Sequence, residues 1–416
     1  MNPTNGSVDL LAPRSHNTTL VLDLLRAAGA EGLSRLELAE RTGLTPQAVS
    51  KITARLRDEG LVARAGQRES TGGKPRTVLR LVPGAGHAVG AHLDRDGVRT
   101  VLVDLDGTVV AERRRALEPG GGAEAVREVV EVVAREAEGL TGVRGGRGEG
   151  GRVAVLGLGI ALPGPLDHAR GVLRRVTGFP GWDGFPLRDA LARRLGVPVV
   201  VDKDTNAAAL GLAAGGAGGD GSSFAYLHLG TGLGASLVIG GALHRGARTG
   251  AGEFGHQVVQ LDGPRCGCGD RGCIEALCLA AVARGETREA ARVLGTGAAN
   301  LVGLLDIDLV LLGGRTVAAA PEEFVRGVAA VLEARARREG RAGGAVPVRL
   351  ASGERARNET AASAEAVRDE TARSQASGEA ASGVWASGEA SRECGERGIA
   401  EGAAQLVLAP VFGRET

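Results

Sequence analysis

Residues 255–275, GHQVVQLDGPRCGCGDRGCIE, decide the reading of this chain. They carry His256, Cys266, Cys268, Cys273 and Glu275. Nine residues separate His256 from Cys266, one separates the first two cysteines and four separate the last two. Three soft thiolates and one imidazole from a single short segment can therefore meet at a point, which is the donor set of a closed Cys₃His zinc site. Glycines at 267, 269 and 272 relieve the steric limits on turns this tight. Four protein ligands leave no open coordination position, so the expected metal is structural and not a Lewis acid acting on substrate. Buried, unligated cysteines are the alternative use of the same residues.

The 416 residues, 43% of them hydrophobic and with a formal net charge of +1, suffice for two or three domains with ordinary cores. The chain contains no apolar run of about eighteen residues. Its polar, proline-broken start, MNPTNGSVDLLAPRSHN, has no secretory leader pattern, so a cytoplasmic location is expected. Cys278 and Cys394 have no evident pair, which suits a reducing compartment. The chain has three lysines, Lys51, Lys74 and Lys203. Two of them fall in the first eighty residues, where charge is unevenly placed: Arg14 to Arg80 holds twelve basic and seven acidic residues, a surplus of five in a chain that is otherwise near neutral.

That basic segment reads as three short helices and a hairpin. TLVLDLLRAAG places Leu20, Leu24 and Leu25 on one face, and SRLELAERTG ends at Gly43. In LTPQAVSKITARLRDEG, Thr45 is an N-cap with Pro46 at the first helical position, and Val49, Ile52 and Leu56 recur at helical spacing. This turns Gln47, Ser50, Lys51 and Arg55 outward, as a recognition helix presents its early polar residues to a major groove. Two alternating runs around Gly-Gly-Lys-Pro-Arg then form a wing, with Lys74 and Arg76 placed to reach phosphates or a minor groove. The expectation is a winged helix-turn-helix over residues 14–82, contacting DNA through Thr45, Gln47, Ser50, Lys51, Arg55, Lys74 and Arg76. A helical dimerisation domain with a solvated basic face is the alternative.

After Val82 apolar strands alternate with helical stretches at 122–138, 187–195 and 205–214, an α/β architecture. The runs GIALPGPLDHARGVL, GFPGWDGFPLRDALARRLGVPVVVDKDTNAAALG, GTGLG and GAGEFGH, with the cysteine cluster after them, resemble the ROK family of repressors and sugar kinases. Together with the winged helix in front, the resemblance points to the transcriptional-regulator branch. It implies a two-lobed actin/hexokinase-like (ribonuclease H-like) body. The first lobe is expected at 84–205 plus 399–416, and the second, with the zinc site, at 206–350. Residues 351–398, where ASGE recurs at 351, 376 and 386, have too little apolar surface to offset ordering and are expected to be a disordered insert. The segment from Glu275 to Asn300 is shorter than the family's usual helical section, which could remove part of an oligomer interface.

The resemblance also implies a sugar site at Asp204, Glu253, His256 and Glu275, with Lys203 and Asn206 beside them. The chemistry agrees: a polyol needs several acceptors converging from different elements, and a histidine bonded to metal through one ring nitrogen can offer the other. Zinc would act as a clamp on Glu253 and Glu275. In a kinase of this family Asp204 would be the general base. The family commonly has Asn before that Asp, whereas this chain has Lys203, which donates and cannot accept, or which forms an ion pair with Asp202 or Asp204. The phosphate loop of the kinases also departs: His92, Asp94, Arg95 and Asp96 stand where an acidic residue, two glycines and a threonine are usual. Their side chains block close backbone approach and two carboxylates repel a triphosphate, so ATP is not expected. VLVDLDGTVV also matches a first phosphatase motif at Asp104 and Asp106, but the chain has one downstream lysine, Lys203, already used above. These two aspartates are read as opening a hairpin turn. The expected function is a sugar-responsive regulator, at least dimeric, binding double-stranded operator DNA and a sugar or sugar-phosphate effector. The alternative is an ATP-dependent sugar kinase.

Overall fold

The computed structural model describes residues 14–68, 76–117, 122–141, 154–174, 181–219, 221–341, 344–351 and 383–414. Its residues form two compact units, one running to Asp202 and resumed from Ala403, the other Lys203–Gly402.

The first unit opens with α1 (His16–Ala28), β1 (Leu33–Ser34), α2 (Arg35–Thr42), α3 (Pro46–Asp58), β2 (Val62–Arg68) and β3 (Arg76–Leu81). Ser34 begins α2 with a reciprocal capping box: its hydroxyl accepts from Glu37 N–H while Glu37 accepts from Ser34 N–H at 2.7 Å. Thr45 caps α3 by accepting from Ala48 N–H at 3.3 Å. The buried face of α3 is Val49, Thr53 and Leu56; Thr53 can sit inside because its hydroxyl donates to Val49 O at 2.8 Å, and Ile52 is half-buried. The three strands pair in the order β1-β3-β2, which completes a winged helix-turn-helix. Lys74 lies outside the described residues.

The same unit continues with β4 (His87–Asp94), β5 (Gly97–Asp104), β6 (Val109–Ala116), α4 (Gly122–Thr141), β7 (Val155–Leu162), β8 (Leu166–Asp167), β9 (Val172–Leu173), α5 (Leu187–Leu195) and β10 (Val199–Lys203). The sheet order is β10-β7-β4-β5-β6, with β4, β5 and β6 antiparallel in sequence and β7 parallel to β4. Its apolar face, with Val89, Leu93, Leu102, Leu158 and Ile160, packs with Val126, Val133 and Leu140 of α4.

The second unit repeats this plan. It holds α6 (Asp204–Ala214), β11 (Phe224–Leu229), β12 (Leu233–Ile239), β13 (Ala242–His244), α7 (Ile274–Ala283), α8 (Thr287–Leu305), β14 (Leu309–Gly313), α9 (Arg315–Ala319), α10 (Pro321–Arg338) and β15 (Val348–Leu350). Strands run β13-β12-β11-β14-β15, again three antiparallel strands followed by a parallel partner. Leu227, Phe254, Ile274, Leu294, Leu312 and Phe324 fill its core. After Glu275, α7 and α8 follow in direct succession, with Cys278 buried between them and donating to Ala290 O at 3.5 Å.

Three boundaries differ from expectation. The head and the first lobe share one unit. The chain passes from the first unit to the second after Asp202, one residue before β10 gives way to α6. Of the segment expected to lack structure, residues 352–382 lie outside the described residues, whereas α11 (Gly383–Leu408) begins well before residue 399. The reason is the buried apolar side of Ile399–Leu408, from which the helix propagates N-terminally through a stretch that lacks proline. Within the second unit α11 lies against α6 at backbone distance: a Cβ on Gly402 would fall 1.9 Å from Ala207 O. Gly402→Ala should therefore destabilise by about 1–3 kcal/mol despite alanine's higher helix propensity, seen as a lowered midpoint in thermal unfolding; an unchanged or raised midpoint would contradict this packing.

Candidate functional site

The segment from Gly255 to Glu275 has no long helix or strand of its own, so turns and single bridges set its shape. Val258 pairs with Cys273 and Arg265 with Arg271 across isolated bridges. Val259 N–H donates to Gly272 O at 2.9 Å, Cys266 N–H to Asp270 O at 2.8 Å and Ile274 N–H to Gln257 O at 3.0 Å. Gly272 is indispensable to this crossing: its φ is +66° and a Cβ would fall 1.6 Å from Gln260 O.

The folded segment brings the ligand atoms of His256, Cys266, Cys268 and Cys273 within 4.8 Å of one another. Cys266 Sγ stands 3.6 Å from His256 Nδ1, and Cys268 Sγ stands 3.7 Å from Cys273 Sγ. Sulfurs held about 2.3 Å from a tetrahedral ion would stand about 3.8 Å apart. The spacing is far beyond a disulfide bond and fits one four-coordinate cation. Burial pushes the Cys273 thiol up to about 12 and the Cys266 thiol upward, while the Asp270 backbone N–H pulls Cys268 down. A divalent ion would reverse the first two effects by stabilising thiolate.

The expected sugar contacts all fall in the second unit. His256 presents Nδ1 to the cysteines, which leaves Nε2 on the far side of the ring. Glu253 immediately precedes the single 3-10 turn Phe254–His256. Glu275, in the first turn of α7, has Oε1 3.8 Å from Cys266 Sγ, while Oε2 accepts from Leu233 N–H at 2.8 Å. It thereby ties the cysteine cluster to the Gly230–Gly234 loop, where Gly230 N–H donates to Gly232 O at 2.9 Å and Thr316 Oγ1 to Gly230 O at 3.1 Å.

Lys203 is 4% exposed. Its ammonium donates to Ala251 O and to Glu253 Oε1, the latter at 3.3 Å. The ion pair at 3.3 Å is with Glu253, fifty residues away, whereas Asp202 stands 3.6 Å from His168 Nδ1. Lys203 thus fastens the loop that carries Glu253 and engages one of its oxygens, a pairing for which the sequence offered no signal. Asn206 is buried, its carbonyl oxygen accepting from Ser236 Oγ. Asp204 starts α6 half-buried, with Oδ1 accepting from Thr205 N–H at 2.6 Å.

In the first unit residues 92–96, where the sequence departs from the kinase pattern, end β4 and form a tight hairpin. Asp94 pairs with Gly97, so Arg95 and Asp96 form the turn, and Arg95 N–H donates to Asp94 Oδ1 at 2.7 Å. His92 is buried on β4. Asp104 Oδ1 accepts from Asp106 and Thr108 N–H at 3.1 and 2.9 Å, closing the next hairpin as read from the sequence. On the head, Gln47, Lys51 and Arg76 are exposed and Ser50 half-buried. Thr45 spends its hydroxyl on the cap. Arg55 donates to Thr18 Oγ1 at 2.7 Å and lies 3.6 Å from Glu59, so it braces α3 against α1.

A doubled five-stranded plan, a GTGLG loop, and a carboxylate-lined turn beside three cysteines and a histidine define a sugar-kinase-like body behind a winged helix. The pattern of the ROK family matches residues 96–283 and that of the MarR family residues 15–72. The chain belongs to the ROK family. It is 30% identical to the xylose repressor of Bacillus subtilis over 243 residues, 58% of this chain and 61% of that protein, so the match spans about three fifths of the relative's length. Among solved structures, the ROK hexokinase from Thermus thermophilus is 30% identical, with a TM-score of 0.51 over 64% of this chain and 92% of that one. A ROK family transcriptional regulator, a homolog of the Escherichia coli MLC protein, superposes with a TM-score of 0.65 over 95% of this chain and all of that one. At 18% identity that likeness speaks for the fold.

Glu275→Ala removes a charged acceptor from the Leu233 amide. It should cost about 1.5–3 kcal/mol and speed hydrogen exchange at Leu233, read by amide exchange with mass spectrometry. Unchanged protection of residues 230–234 would show that Glu275 does not hold that loop.

Proposed function

We propose that this protein is a sugar-responsive transcriptional regulator, acting as a repressor of genes for carbohydrate uptake or metabolism. The observation that carries the reading is the hairpin at Arg95 and Asp96: where a sugar kinase of this family needs open backbone for phosphates, this chain has a side-chain-bearing two-residue turn on the same unit as a winged helix. The Bacillus subtilis relative named a xylose repressor supports it.

In this reading zinc occupies the His256, Cys266, Cys268 and Cys273 set as a structural ion, and its chemistry is to hold charge and geometry only. His256 turns Nε2 to the effector, and Glu253 and Glu275 supply acceptors for hydroxyls from two sides. Asp204 adds a carboxylate at the start of α6. Lys203 occupies one oxygen of Glu253 and leaves the other for ligand, which narrows the hydroxyl pattern the site accepts. Gln47, Ser50, Lys51 and Arg76 face DNA, with Lys74 on the wing beyond the described residues. A two-fold operator requires at least a dimer, working in the cytoplasm. Effector changes operator affinity only through its different affinity for the two arrangements of the protein.

The test is capture of genomic DNA fragments by the zinc-loaded protein with and without a panel of sugars and sugar phosphates. A few enriched palindromic sites, with capture altered by one sugar, are expected. No enrichment at moderate salt, or ATP consumption that requires both a sugar and Asp204, would overturn the reading in favour of a sugar kinase. Cys268→Ser should reduce zinc well below one per chain by elemental analysis and abolish the sugar response together; loss of zinc with a normal response would refute the clamp.

A further inference from the structure

Arg26, near the C-terminal end of α1, sits where the head meets the rest of its unit. One Nη2 donates to Gln405 Oε1 of α11 at 3.1 Å, and the guanidinium lies over the Phe412 ring, 4.6 Å from its centroid. One turn earlier Asp23 accepts from Arg414 at 2.9 Å. The β5–β6 turn comes close to Arg26, a Cβ on Gly107 falling 3.1 Å from Arg26 Nη2, and the charges of Asp106 and Asp104 beside that glycine act on the guanidinium. Asp104 gives Oδ1 to its own turn. Asp106 does not: its Oδ1 is buried without a hydrogen-bond partner, and so is Arg26 Nη1. Burial and Asp104 push the Asp106 carboxyl upward, and burial together with Arg414 pulls the Arg26 guanidinium downward. Two opposite charges thus approach each other across the seat of the DNA-binding head, each with unused bonding capacity, while Arg26 spends a donor on Gln405. Buried polar atoms left unmatched are rare and call for a physical reason.

We infer that Arg26 is a positioning residue with two alternative acceptors, Gln405 of the C-terminal helix and Asp106 of the β5–β6 turn, and that exchange between them carries the state of the sugar-binding body to the head. The route is covalent. α11 is continuous through the joint between Gly402 and Ala403, Gly402 rests on α6, and α6 begins with Asp204. From Gly402 to Gln405 is three residues, about 4.5 Å of helix. A shift of α6 at the ligand therefore reaches the side chain that holds Arg26 within one turn. The claim that this exchange serves regulation rests on the regulator reading; the two-acceptor geometry does not.

The experiment uses the full zinc-loaded chain as wild type, Arg26→Met, Gln405→Ala, Asp106→Asn and the Gln405→Ala/Asp106→Asn double variant. Zinc content and circular dichroism establish folding. Hydrogen exchange of residues 16–28 should be several-fold faster in Arg26→Met and in the double variant, and near wild type in each single acceptor variant, because either acceptor can hold Arg26. If Gln405→Ala alone loosens α1 as much as Arg26→Met, or if the double variant matches wild type, the two-acceptor proposal is wrong. On DNA fragments captured by wild type, both single acceptor variants should still bind but lose the change in capture caused by the effective sugar. A retained full response in both would sink the coupling claim. Failure of wild type itself to capture DNA would count against the regulator reading, and the exchange arm would still decide the two-acceptor geometry.

Discussion

Everything that gathers around the candidate ligand site depends on one crossing of backbone in an irregular segment, where Gly272 passes over Gln260 and leaves no room for a side chain. The crossing points Cys266, Cys268 and Cys273 inward, and it delivers the chain into α7 with Glu275 already in its first turn. Glu275 in turn grips the Leu233 amide at the head of β12. Turns alone are a weak frame, since few apolar side chains back them. A cation at the four donors would supply the rigidity that packing does not, and the spacings of the donor atoms suit a tetrahedral one.

Much of the fold is legible in residue order because local and global preferences agree. Thr45 and Pro46 announce the start of α3, Gly43 the end of α2, and the apolar runs in β4, β5 and β11 read as strands. The metal ligands are legible because they lie within eighteen residues. What the sequence hides are pairings between distant residues. Lys203 invites an ion pair with its sequence neighbours, and its ammonium also reaches Glu253, fifty residues away. Arg55 reads as a DNA contact from its place on the helix, but its reach allows a bond to Thr18. The early start of α11 is missed because composition describes an isolated segment, while helix formation propagates from a buried neighbour.

The two units show how one plan can carry different turns at the equivalent connection. Each has three antiparallel strands followed by a parallel partner. In the second, the turn between its first strands keeps the glycines of GTGLG and is held by Thr316 and Glu275. In the first, the equivalent connection between β4 and β5 carries Arg95 and Asp96 in a turn that strand register keeps as short as possible. Substituting the turn leaves the sheet intact, since register is set by the apolar faces of β4 and β5. The turn can therefore differ between the units without disturbing the scaffold around it.

The closure of the first unit by residues from Ala403 onward has a consequence for how the chain reaches its native state. Ala403 to Phe412 are largely buried within that unit, beside α1 and the first sheet, so contacts made by residue 26 await residue 405. During synthesis the winged-helix head and first sheet emerge early but stay open on one side until the second unit has been made in full. Loop closure over most of the chain places this last step among the slow, non-local ones. A message truncated near its end would leave the second unit intact and the head without its seat.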